Sequence, residues 1–389
     1  MRRFAAAIAL LALLAGCTQV PLRGTGDLGL IVERARGSVV VVDTTARGIL
    51  GRVEGLGDLS HASVVFSRDG RYGYVFGRDG GLSKVDLLTQ TLEKRIMQAG
   101  NSIGGAISQD GRMVVAQNYV PGGIRAFDAV TLEPLADVPA SYGMAGERSK
   151  VVGLADLSGN RFAYALFDAG EIRITDLSNP ARPKTESYPA GKQPYDGLVS
   201  PDGRYYIAGL FGEDGLALLD TWQAARGSRK ILANYGRGEE KLPVFKMPHL
   251  RGWALAGGRA WLPAIGRHEV LVADTTQWRE VARVPVKGQP VFVMASPDGR
   301  HVWVNFAFPD NGWVQVIDTL TTQVVKTLQP GKAILHMEFT PRGGEVWLSA
   351  RDDNSVVIHD TRSFERIATL AVDAPSGIFF TSRAARTGF

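Results

Sequence analysis

One pattern recurs along the chain and restricts its possible folds more than any other feature. A turn with Asp-Gly or Gly-Gly leads into an apolar strand, a short polar turn, and a second strand ending in aspartate. Copies read SRDGRYGYVFGRDGGLSKVD (67–86), SQDGRMVVAQNYVPGGIRAFD (108–128), DLSGNRFAYALFDAGEIRITD (156–176) and SPDGRYYIAGLFGEDGLALLD (200–220). ALAGGRAWLPAIGRHEVLVAD (254–274), SPDGRHVWVNFAFPDNGWVQVID (296–318) and TPRGGEVWLSARDDNSVVIHD (340–360) continue the series, and GDLGLIVERARGSVVVVD (26–43) opens it as a partial copy. The closing aspartates fall at 43, 86, 128, 176, 220, 274, 318 and 360. A period of roughly 40–50 residues holding four short strands is the blade of a β-propeller. A solenoid of that period would need helical patterning, which the chain scarcely shows.

The first copy lacks its leading strand, and the tail DAPSGIFFTS (373–382) can supply it, closing the ring and pairing two edges that would otherwise be exposed. The expectation is an all-β fold, one eight-bladed β-propeller over 26–389, with seven blades plus an irregular edge as the alternative. The 46 glycines and 19 prolines are spread along the chain, as many tight turns require.

MRRFAAAIALLALLAGC joins a basic start to an apolar run from Phe4 to Leu14 and then small residues. This predicts a secretory signal over 1–16, too short for a spanning helix. Leu14-Ala15-Gly16-Cys17 resembles the bacterial lipobox, which makes Cys17 the lipidated first residue of the mature chain and 17–25 a linker. A plain signal peptide with a chance cysteine is the alternative. Lipidation implies a periplasmic protein tied to the membrane by its lipid alone, and Thr18 after the cysteine favours the outer membrane. Cys17 is the only cysteine, so no disulfide, thiolate zinc site or CxxCH haem attachment is available. The net charge of +5 is small and scattered, unlike the clustered basic stripe of a nucleic-acid binder.

In a propeller the first strand of each blade runs nearest the axis, so the residues entering it converge on one mouth of the central channel. Those stretches are LSHASVV (59–65), GNSIGGA (100–106), SKVVGLA (149–155), GKQPYDG (191–197), MPHLRGW (247–253), GQPVFVM (288–294) and AILHMEF (333–339). They bring His61, His249, His336, Tyr195 and Asp196 toward one place, whereas His268, His301 and His359 fall in turns or outer strands. A strand histidine taken alone is usually a satisfied core group. Three at equivalent ring positions point to a shared ligand, and imidazole serves both metals and proton transfer. Set on separate blades, they suit a large flat molecule better than a single ion. Arg34 (VERARGS), Arg78 (FGRDGG) and Tyr119 (AQNYVPGG) occupy turns predicted at the same mouth. Such turn residues are commonly just solvated, but two guanidinium groups there would suit carboxylates. Asp156 (GLADLSG) is either a turn-former or a carboxylate for proton transfer.

HASVVFSRDGRYGYVFGRDGGLSKVDL resembles the proximal-ligand blade of the d1 haem domain in cytochrome cd1 nitrite reductase, an eight-bladed propeller, and the resemblance extends over 26–385. It implies His61 as a ligand of haem iron and Arg34 and Arg78 near the haem carboxylates. PYDGLVSPDGRY and KMPHLRGW match the two distal segments, with His249 retained and Tyr195 in place of a histidine; His336 stands where that family has a glutamine. The chain has no CxxCH. With the lipobox, this makes it more similar to the NirF family, the propellers of d1 haem biosynthesis. That resemblance implies binding of d1 haem or its tetrapyrrole precursor by Arg34, His61, Arg78, Tyr119, Tyr195, His249 and His336. It also implies a late modification of the macrocycle, a dehydrogenation, with His61, Asp156 and His336 as catalytic groups and an external electron acceptor. Other d1 haem maturation proteins and nitrite reductase are the implied partners. The alternatives are a non-catalytic carrier or scaffold delivering the cofactor, and an anchored propeller with an unrelated small ligand.

Overall fold

The recurring aspartates have a local cause. The computed structural model describes residues 23–236 and 253–386, and in it each of the eight ends the third strand of a four-stranded blade. Their carboxylates accept N–H groups from the turn that follows: Ala46 donates to Asp43 and Thr131 to Asp128, both at 2.7 Å, and Ser363 to Asp360 at 2.8 Å. An aspartate that bonds the backbone two or three residues on fixes a turn, here the one leading to the outer strand. The Asp-Gly turns between first and second strands work the same way. The Ser108 hydroxyl donates to Asp110 at 2.6 Å, and Gly111 takes the left-handed conformation (φ +74°) that a side chain would resist. Arg71 and Arg204 reach from these turns to the third-strand aspartates Asp86 and Asp220, at 2.7 and 2.8 Å.

Eight such antiparallel sheets form the ring, numbered here from the N-terminus. The third strands are largely buried on both faces, and some, such as Ser38–Asp43, are almost wholly apolar between their ends. The outer strands alternate instead, as in Gln323–Leu328, because one face meets water. Eight apolar clusters fill the gaps between neighbouring sheets, with Trp261, Trp303 and Trp347 fully enclosed. Blade 1 is a composite. Its strand Leu28–Glu33 pairs on one side with Ser38–Asp43 and on the other with the tail strand Pro375–Phe380, in the register Gly29 to Phe380 and Ile31 to Ile378. The ring therefore closes with eight blades through the tail, as the incomplete first repeat predicts.

Past the seam, the short 3-10 segment Thr381–Ala385 is clasped to other blades. Arg68 donates to the carbonyls of Ala384 (2.7 Å) and Ser108 (2.8 Å), and Arg383 makes a two-point ion pair with Glu338. A two-stranded hairpin, Ser141–Tyr142 with Glu147–Arg148, is added between blades 3 and 4, and the repeat pattern contains no sign of it. The signal segment and Cys17 lie outside the described residues. Among the described residues, no helix is long and apolar enough to cross a membrane.

Candidate functional site

The inner strands share an irregularity that builds the site. In Pro194–Val199, Pro194 faces Leu210 and Gly197 faces Ala208, so Tyr195 and Asp196 together stand opposite Gly209 alone. The same extra residue puts Leu335 and His336 opposite Ser349, Val291 and Phe292 opposite Asn305, Gly153 and Leu154 opposite Tyr164, and Ser376 and Gly377 opposite Val32. The strand Asn101–Ile107 slips likewise at Ile103. These are β-bulges, which re-aim side chains that regular pairing would send into the neighbouring sheets. Repeated at one depth, they turn their residues into the channel. The result is a cavity of about 230 Å³ lined by Arg34, Ser60, His61, Ser63, Ile103, Gln117, Gly153, Tyr195, Asp196, Phe292, Leu335, His336, Ser376, Phe379 and Arg383, among others.

A bulge frees backbone groups from the ladder, and those groups need partners. Polar side chains in the adjoining second strands provide them. The Leu154 N–H donates to Gln117 Oε1 at 2.8 Å, Phe292 N–H to Asn305 Oδ1 at 2.9 Å, and His336 N–H to Ser349 Oγ at 2.8 Å. Asn305 also donates through Nδ2 to the Ile334 carbonyl at 2.9 Å, tying blade 7 to blade 8. Gly153 (φ +63°) lets the inner strands of blades 4 and 5 touch, since a Cβ there would lie 2.4 Å from the Gly197 nitrogen.

Five of the residues singled out in the sequence line this cavity: Arg34 from blade 1, His61 from blade 2, Tyr195 and Asp196 from blade 5 and His336 from blade 8. Arg78 and Tyr119 stand just behind them. The Arg78 guanidinium lies 5.9 Å from the centre of the Tyr119 ring, and the Tyr119 and Tyr195 hydroxyls are 3.0 Å apart. The spacing predicts a turn for Tyr119, but it lies in the strand Met113–Val120, which runs on until Pro121 removes the backbone donor. Asp156 is not among the lining residues. It sits in the inner strand Val151–Leu157, three residues past the bulge at Gly153, buried and 3.9 Å from Arg68 in the clasp. His249 lies outside the described residues. His301 begins a second strand and His359 sits in a third, with its Nδ1 2.9 Å from the Phe364 carbonyl.

The charges are asymmetric. Arg34 and Arg78 form no salt bridge with a described residue, and the acid they act on is Asp58. Its carboxyl is held below the usual range by bonds from Ser60 and by these two cations. Burial pushes the Tyr119 and Tyr195 hydroxyls up, so both keep their protons. Asp196 is the one carboxylate among the described lining residues. Burial, aided by the Arg383 cation, pushes the His336 imidazole down to about 3. Phe292, Phe379 and Arg383 are lining residues that reasoning from histidines and turn arginines passes over, as are the supports Gln117, Asn305 and Ser349. Their signal was a polar residue inside an apolar second strand, as in HVWVNF and EVWLSA. Among the described residues, no three His, Cys, Asp or Glu side chains gather as a metal site.

Fold and site together define a closed eight-bladed propeller whose inner ring is bulged around a cavity with cationic and aromatic walls. Residues 23–384 match the cytochrome D1 heme domain family, and the chain belongs to that family. It is 58% identical to Protein NirF of Pseudomonas aeruginosa, over 97% of both chains, and 55% identical to Protein NirF of Stutzerimonas stutzeri, over 98% of both. Among solved structures, the dihydro-heme d1 dehydrogenase NirN in complex with DHE superposes with a TM-score of 0.80 at 24% identity, covering 96% of this chain and 79% of that one.

Proposed function

We propose that this protein binds d1 haem or its tetrapyrrole precursor at the mouth of the propeller channel, as a step in d1 haem biosynthesis. The observation that carries the reading is the convergence of Arg34, His61, Tyr195 and His336, far apart in sequence, on one cavity. The enclosed space is smaller than the range common for small-molecule sites, about 300–1,000 Å³. A tetrapyrrole would therefore fill it and extend beyond it, with Arg78 and Tyr119 close behind the lining residues. His61, exposed at the rim, offers one imidazole to a metal carried in the macrocycle. Arg34 and Arg78 offer planar donors to its carboxylates. Tyr195 faces the ligand from blade 5, and His249 is assigned there by its sequence position. The relationship to NirF and to the NirN fold supports the reading. The protein is read as a periplasmic lipoprotein anchored through Cys17, working with other d1 haem maturation proteins and nitrite reductase.

Binding without chemistry is favoured by a specific observation: the His336 imidazole is held neutral and Asp156 is not among the residues that line the cavity. A carrier that passes the tetrapyrrole on needs neither as a proton shuttle. A dehydrogenation would need an external acceptor for its electrons.

Purified protein titrated with d1 haem is expected to change the Soret region saturably at micromolar ligand. Arg34→Ala should bind about tenfold or more weakly, the order expected for a lost charge-assisted hydrogen bond, with an unchanged circular dichroism spectrum. No spectral change at micromolar ligand contradicts the proposal.

A further inference from the structure

We infer that His336 is a fixed hydrogen-bond donor, its proton on Nε2, that selects ligands presenting an oxygen acceptor at blade 8. The inference rests on the tetrapyrrole reading for its ligand and on this chain's geometry for the rest. The Ile378 backbone N–H donates to His336 Nδ1 at 3.2 Å. A neutral imidazole whose Nδ1 accepts must carry its proton on Nε2. Among the described residues Nε2 has no hydrogen-bond partner, so in a side chain that lines the cavity it is the ring atom left to meet a ligand.

The ring cannot readily turn over to exchange its two nitrogens. It stacks on Phe379, with centroids 5.6 Å apart and planes at 30°, and meets Phe292 edge-on at 5.4 Å. Its own backbone N–H is tied to Ser349, so the bulge presenting it is also held. The charged groups around it are Arg383, 5.1 Å above the Phe379 ring, and Glu338, which is paired to Arg383. The net field of that pair gives an added proton little support, in keeping with the depressed imidazole pKa. A ring so held neither takes up a proton near neutral pH nor offers an Nε2 lone pair to iron. It donates. The fitting acceptors are a carbonyl or carboxylate oxygen on the macrocycle, which leaves His61, among the described residues, as the imidazole to face a metal.

Long-range proton–nitrogen NMR correlation on histidine-labelled full chain should show His336 as the Nε2-protonated tautomer, without titration between about pH 5.5 and 8. On addition of d1 haem its Nε2–H resonance should shift. A ring protonated on Nδ1, or one titrating in that range, overturns the inference; so does d1 haem that binds without moving this resonance. His336→Gln retains an N–H donor and should bind d1 haem within a fewfold of wild type, whereas His336→Leu should lose about tenfold or more. Equal affinity of His336→Leu and wild type also overturns it, and should that variant fail to fold, the wild-type spectra decide alone. If wild type does not bind d1 haem, the tetrapyrrole reading fails and the ligand half of this inference falls with it, while the tautomer remains measured.

Discussion

Histidine can ligate a metal, carry a proton or donate a hydrogen bond, and its surroundings select among these roles. His61 is exposed at the rim just before Ser63–Phe66, where a ligand can reach it. His336 is clamped between two aromatic rings with one nitrogen engaged by backbone. Both occupy the start of an inner strand, and that position was readable from the repeat. The difference between them was not, because it depends on Phe292, Phe379 and Ile378, which come from other blades or strands. Asp156 shows the same limit. The repeat places it on an inner strand, but only the bulge three residues earlier and the distant Arg68 decide that it joins the clasp. Cys17 poses a simpler residue-scale question, since its role rests on local sequence alone. Mass spectrometry of the membrane fraction is expected to find a diacylglyceryl group on Cys17, and Cys17→Ser should release the protein into the soluble periplasm. An unmodified, soluble wild-type protein contradicts the anchor.

At the scale of the strand, the bulge makes the site. Without the extra residue, Tyr195 and His336 would follow the regular alternation of the sheet, and the cavity would lose its polar wall. The strands themselves were legible as apolar runs between Asp-Gly turns and aspartate-ended segments. The bulges were not, because an extra residue in a short strand leaves the repeat length within its normal scatter. A trace of them lay in Asn305, Gln117 and Ser349, polar residues in otherwise apolar second strands. Asn305 carries the most, bonding both Phe292 N–H and the Ile334 carbonyl. Asn305→Ala should lower stability by about 1–3 kcal/mol, the cost of leaving a buried polar group unpaired. Asn305→Asp, which buries a carboxylate and sets one of its oxygens against the Ile334 carbonyl, should lower stability at least as much. Urea unfolding measures this, with d1 haem affinity expected to drop in parallel. An Asn305→Ala protein as stable and as tightly binding as wild type would show that the bulges hold without their side-chain supports.

Across the whole molecule, eight repeats of one unit enclose a channel, and the tail strand Pro375–Phe380 joins the last blade to the first. This closure was readable because the first copy lacks a strand that the tail can replace. The hairpin at Ser141–Arg148 was not, since an insertion in a connection leaves the repeat on either side intact. The ring explains how residues from 34 to 383 come to line one space, and a ligand there would bind most of the blades at once. The molecule also has a second concavity, between the outer strands Thr91–Met97 and Pro134–Pro139, lined by Lys94, Met97, Arg125 and Leu135. The two locations are told apart directly by a crystal structure of the protein with d1 haem bound. The macrocycle is expected at the bulged inner ring, with its iron facing His61, a carboxylate within hydrogen-bonding distance of Arg34, and a ring oxygen at His336 Nε2. A macrocycle seated in the outer groove, with His61 and Arg34 touching only solvent, would contradict the account.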